Sequence, residues 1–116
     1  MTTQSPFAPN ISKTKTINAT STSTSVTLDA LDVQGTTSVT TTPTGGFSVM
    51  RIINKGPGEV FIRWGVGAQT AIVTTDTPML PGTVELFTKA TTVDTVAAIT
   101  AGSDTATVRI TCGEGQ

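Results

Sequence analysis

From residue 47 onward the chain alternates. FSVMRIIN at 47 to 54 sets Phe47, Val49, Arg51 and Ile53 against Ser48, Met50 and Ile52. Both sides of that run are fairly apolar, which predicts a strand in the interior of a sheet. EVFIRWG at 59 to 65 places Val60, Ile62 and Trp64 on one side and Phe61 and Arg63 on the other. The turn cluster NKGPG lies between these runs, so the two are expected to pair as a hairpin. TAIVTT at 70 to 75 is a further short strand, and DTPMLPG at 76 to 82 is a loop whose Pro81-Gly82 suits a positive φ at the glycine. TVELFTK at 83 to 89 alternates again. DTVAAIT at 94 to 100 and TATVRITC at 105 to 112 read as a closing hairpin across AGSD. In its second half Ala106, Val108, Ile110 and Cys112 face one way, and Thr105, Thr107, Arg109 and Thr111 the other.

Before residue 46 the pattern is thin. Val26 and Leu28 in SVTLDA give the first clear alternation, and QGTTSVTTTPTGG reads as a weak strand running into a Pro/Gly loop. Residues 1–24 lack the apolar density for a core and end in NATSTSTS, so they are expected to form an extended N-terminal arm. Within that arm Phe7, Pro9 and Ile11 stand out as apolar positions in a polar leader. They suit anchors on a neighbouring subunit, or a segment folded back on its own domain. Residues 25–116 are expected to form the domain itself. No stretch has a capped 3.6-residue apolar period. Short strands spaced by turn signals predict an all-β fold: an antiparallel β-sandwich of the jelly-roll kind.

Composition sharpens this in two ways. Threonine makes up about a quarter of the 116 residues, while charged residues are only 13%, about half the usual ~25%. Threonine favours the half-buried pleated surface of a strand, and a surface poor in Lys and Glu is weakly guarded against docking. Net charge is −1, and Lys13, Lys15, Arg51, Lys55, Arg63, Lys89 and Arg109 form no run. No basic footprint for nucleic acid is visible along the chain. Neither a membrane span nor a signal peptide is expected: the start has no basic and apolar leader, and apolar runs are short.

The chain has no histidine and one cysteine. This removes the commonest general base, the Ser-His and Cys-His nucleophile arrangements, and a cysteine-based zinc site. GVG at 65 to 67 lacks the context of a dinucleotide loop. The carboxylates lie apart, mostly beside turns. Asp29 and Asp32 suit a turn better than a calcium loop. The expectation is a protein without catalytic residues, metal or cofactor. Cys112, on the apolar side of its strand, is expected to be a buried thiol. Trp64, the single tryptophan, is either core or an interface anchor.

Three stretches carry a resemblance: NKGPGEVFIRWGVG at 54 to 67, TPMLPGTVELF at 77 to 87 and AAITAGSDTATVRITCGEG at 97 to 115. Together they are similar to small structural proteins of tailed bacteriophages, in which a V-F-I-R-W-G-like strand follows an Asn/Gly turn. A P-x-L-P-G loop and a final G-T-A-T-like hairpin then close the chain. The likeness spans roughly the last three-fifths of the sequence and rests on strand and turn pattern. It implies a capsid decoration, or cement, protein. Such proteins have jelly-roll sandwiches, sit on the capsid exterior, often as dimers, and staple neighbouring major capsid subunits. The implied partners are the major capsid protein and further copies of the chain, as dimer or trimer, and the implied location is the virion surface after synthesis in the host cytoplasm. The alternatives are a tail, head-fibre or neck component, and a host-attachment carbohydrate-binding module. With few charges and no charged patch in view, attachment is expected to depend little on salt.

Overall fold

The run with alternation on both sides, 47 to 54, becomes the interior strand of the first sheet. The computed structural model describes residues 8–9, 14–28, 47–90 and 92–114. Nine strands lie among them: β1 (Ala8–Pro9), β2 (Lys15–Ala19), β3 (Thr24–Thr27), β4 (Phe47–Pro57), β5 (Val60–Gly65), β6 (Thr77–Met79), β7 (Thr83–Ala90), β8 (Thr95–Thr100) and β9 (Ala106–Glu114). Every pairing is antiparallel, and no helix occurs among the described residues.

In the first sheet β9 is flanked by β4 on one side. On the other side it takes β2 and β1 in turn, and β7 closes the far edge beyond β4. The second sheet runs β3-β8-β5-β6. Register lines the apolar alternates up in rows: Met50 stands between Cys112 and Phe87, and Ile17 opposite Val108. One buried cluster draws Ile17, Ala19, Met50, Ile52, Val108, Ile110 and Cys112 from the first sheet and Val60, Ile62, Met79, Val96 and Ala98 from the second. The two sheets thus share a single core. Burying each aliphatic side chain of Val or Ile size contributes about 1.5–3 kcal/mol.

Three sequence expectations are corrected. The runs 47–54 and 59–65 do not pair as a hairpin, and neither do 94–100 and 105–112. In each case the first strand lies in one sheet and the second in the other. Period-2 alternation fixes which face of a strand is buried, but it is blind to which strand lies alongside. The strand expected at 70–75 is a turn, and β6 forms instead at Thr77–Met79, inside the stretch expected to be a loop. Asp76 is the cause: its carboxylate accepts the Ile72 N–H at 2.6 Å, and its own N–H donates to Ile72 O at 3.1 Å. Finally, Lys15–Ala19, placed in the arm by its sparse apolar content, is β2, with Ile17 only 1% exposed. Two alternating residues, Ile17 and Ala19, suffice there because β9 supplies the other side of the pair.

The crossing from β4 to β5 is held by Asn54, which is fully buried. Its Nδ2 donates to Gly58 O at 3.0 Å and to Met79 O at 2.9 Å, and its Oδ1 accepts the Gly56 N–H at 2.8 Å. Its own carbonyl accepts the Gly82 N–H at 2.7 Å. One residue therefore ties together the turn and the end of β6 through its side chain, and the approach to β7 through its backbone. Gly56 has φ of 82° and Gly82 of 80°, in the left-handed region where a side chain is strained. The second of these is the glycine of the Pro81-Gly82 turn expected from sequence.

Candidate interaction surface

The first sheet buries one face in the core; on its other face Val49 and Thr111 are buried as well, while Lys55, Val84, Leu86 and Arg109 are exposed. The positions alternate to its core rows are Thr16 and Asn18 on β2, Thr107, Arg109 and Thr111 on β9, Val49, Arg51, Ile53 and Lys55 on β4, and Val84, Leu86 and Thr88 on β7. Cross-strand partners on one face stand about 4.5–5.5 Å apart at Cβ, so register gives neighbours. Val84, Ile53 and Arg109 form one row, and Leu86, Arg51 and Thr111 the next. Val84 is 57% exposed and Leu86 53%. For aliphatic residues in the middle of a regular strand that is unusual company for water, and apolar groups gathered on one face mark contact sites more often than isolated ones do.

Beside this aliphatic pair lies a depression of about 290 Å³ lined by Thr14, Arg51, Ile53, Lys55, Arg109 and Thr111. The hydroxyls of Thr14 and Thr111 meet at 2.8 Å on its floor side. Three cationic side chains share the face, and no described carboxylate stands on it: Glu85 occupies the alternate position on β7. The basic residues that form no run along the chain are thus partly gathered by the pleat. β7 is also an edge strand, hydrogen-bonded only to β4 among the described strands.

The other concavities are less suited to docking. One of about 250 Å³ is lined by Ile62, Arg63, Trp64, Asp76 and Thr77 and is crossed by the Arg63–Asp76 ion pair at 3.4 Å. Another, of about 240 Å³, lies among Asn18, Ala19, Thr20, Gly56, Pro57 and Thr105 to Thr107 and is lined by small and uncharged groups. Among the described residues no three of His, Cys, Asp and Glu converge as a metal site would require.

Of the residues singled out in the sequence, Phe7 and Ile11 lie outside the described residues. Pro9 belongs to β1, where its backbone is opposite Gly113. Trp64 is half-buried in β5, packed on the core, with its ring centroid 4.9 Å from that of Phe87 on β7 at an interplanar angle of 52°. It joins the two sheets and lies in a different sheet from Pro9. Cys112 is buried in the core, as its strand position suggests. Sequence reasoning missed the face built by Arg51, Lys55, Arg109, Val84 and Leu86. It set Arg109 apart from the apolar side of its strand, but it placed Lys55 in a turn and did not have the adjacency of β9, β4 and β7.

Comparison with protein-family models, with curated proteins and with solved structures finds no significant match.

Proposed function

We propose that this chain is a non-enzymatic structural protein of a tailed-bacteriophage virion: a decoration protein that binds the outer capsid surface and stabilises the DNA-filled head. The observation that carries the reading is the exposed part of the first sheet's outer face, where Val84 and Leu86 are more than half exposed and Lys55 and Arg109 are exposed with them. A two-layer body with one face left adhesive suits a protein whose task is to hold others together. The resemblance of 54–115 to phage structural proteins supplies the context.

The fold reading is a jelly-roll sandwich. Support comes from the strand orders β2-β9-β4-β7 and β3-β8-β5-β6. Every step between successive strands from β3 to β5, from β6 to β7 and from β7 to β9 changes sheet, apart from the short β5–β6 pair. That alternation supports a reading as two interleaved Greek keys. Self-association as a dimer or trimer fits the open edge of β7 and the low charge.

A decoration protein binds the assembled shell and not the separated subunits, so by linkage it must stabilise the shell. Many copies acting on one shell need only modest contacts each. The test is to remove the protein, genetically or by stripping, and heat the DNA-filled heads. DNA release at a lower temperature, restored by adding the protein back, is the expected outcome. Unchanged release, with the protein found on tails or fibres, would move the assignment to those structures.

A further inference from the structure

We infer that the outer face of the first sheet is the docking face, and that its partner is an acidic protein surface carrying exposed aliphatic side chains. This deepens the function proposed above and rests on it for where that partner is found. The juxtaposition comes from register: Lys55 and Arg109, both exposed, flank the depression at Ile53, and Val84 and Leu86 extend it to the β7 edge.

Charge complementarity selects the partner. The chain as a whole is slightly acidic, at net charge −1. Yet this face exposes Lys55 and Arg109, and no described carboxylate shares their side of the sheet. Two of the described carboxylates are engaged away from this face. Asp76 holds Arg63 and the Ile72 amide, and Asp94 accepts the Gly67 N–H and the Thr95 hydroxyl. A surface of negative sign is therefore steered to this side, and a positive one is turned away.

The aliphatic residues select protein over nucleic acid. Phosphates need cations, and bases stack on aromatic rings. Val84, Leu86 and Ile53 provide neither. They offer the apolar centre, ringed by polar groups, that protein interfaces use. Threonines at 14, 16, 88 and 107 complete the rim with uncharged hydroxyls. This revises the expectation that salt matters little to attachment. Exposed charges at the rim act over a Debye length, which falls from about 30 Å at 0.01 M salt to about 3 Å at 1 M.

The test uses the full chain, isotopically labelled, with three probes: poly-glutamate, a random glutamate–leucine copolymer and a short DNA duplex. Amide shifts at residues 51–55, 84–88 and 107–111 are expected with the copolymer. They should be smaller with poly-glutamate and smaller still with the duplex. In K55E/R109E copolymer binding should fall about tenfold or more at low salt, and L86S should abolish the advantage of copolymer over poly-glutamate. Shifts centred elsewhere, or absent, would overturn the inference. So would tighter duplex binding at these residues with a salt slope near −2.7, about that of three phosphate contacts.

Heads lacking the protein provide the second arm. Wild-type attachment that weakens with salt and is lost in K55E/R109E is the expected result. Attachment undiminished in both K55E/R109E and L86S would overturn the docking face while leaving the decoration role intact. A wild-type chain that binds the copolymer through this face but no head would remove the decoration role and leave the face.

Discussion

At the scale of single residues, what a side chain contributes depends on which way its strand position points. Ile110 and Leu86 are both aliphatic residues at alternating positions. Ile110 is fully buried and Leu86 is 53% exposed. Ile110→Ala should cost about 2–5 kcal/mol, the usual range for emptying a core position. Leu86→Ser should stay within about 0.5 kcal/mol, as surface changes do. Urea unfolding of the two variants checks the difference, and equal losses would mean that Leu86 is core rather than contact surface. Asn54 is the residue whose role sequence alone hides: it reads as one more turn former in NKGPG. In the fold its amide serves two carbonyls and one N–H, from the crossing it organises and from the end of β6. Asn54→Ala leaves those groups without their partner, at about 1–3 kcal/mol for each that stays buried, so a loss of about 2 kcal/mol or more is expected. Asn54→Asp should be worse still. It keeps the acceptor for Gly56 but turns an oxygen toward Gly58 O and Met79 O. A lower urea midpoint for Asp than for Ala is the signature of that arrangement.

At the scale of elements, the sequence was legible in its faces and illegible in its partnerships. The buried sides of β5 and β9 follow directly from alternation, because water and core impose a period of two on any half-buried strand; β4, apolar on both sides, was legible as an interior strand. The same signal would arise whether β9 lay beside β8 or beside β4, so both expected hairpins dissolved into crossings between layers. β6 escaped notice because three residues are too few to show a period, and β2 because its apolar side is only Ile17 and Ala19. Lys89 shows the opposite limit. It continues the inward side of β7 after Glu85 and Phe87, is 1% exposed, and donates from Nζ to Val93 O at 3.4 Å. No rule of pattern places a lysine there. The docking face was half legible: Arg51 and Arg109 were on the right sides, but their meeting depends on the β4–β9 pairing. The place of β2 yields a prediction that differs from the arm expectation. Deleting residues 1–24 removes Ile17 and Ala19 from the core and bares the edge of β9. The truncated chain should lose its cooperative unfolding transition, and Ile17→Ala in the full chain should cost about 2–5 kcal/mol. A truncated chain that unfolds at the same midpoint as the full one would return β2 to the arm.

At the scale of the whole molecule, the pairings decide how the chain must fold. β2 meets β9, β3 meets β8 and β5 meets β8, and β4 meets both β7 and β9; only β5 and β6 are near neighbours in sequence. Each distant pairing closes a long loop before its contacts form, and that entropy is set against folding from the outset. Chains dominated by such pairings refold in roughly milliseconds to seconds, whereas helical chains of similar size take microseconds to milliseconds. Trp64 is well placed to report the event. It sits on β5 of one sheet with its ring 4.9 Å from Phe87 on β7 of the other, so its emission responds to the meeting of the layers. The β-sheet signal in far-ultraviolet circular dichroism reports pairing within each layer. Strands of the two sheets alternate along the chain from β3 to β5 and from β6 to β9, so neither layer is complete until the other is nearly so. The two signals should therefore recover together after dilution from urea, with one rate constant in the millisecond-to-second range. Dichroism that recovers well ahead of Trp64 emission would mean that the sheets form separately and dock later. In that case the shared core would be a late seal and not the event that makes the fold.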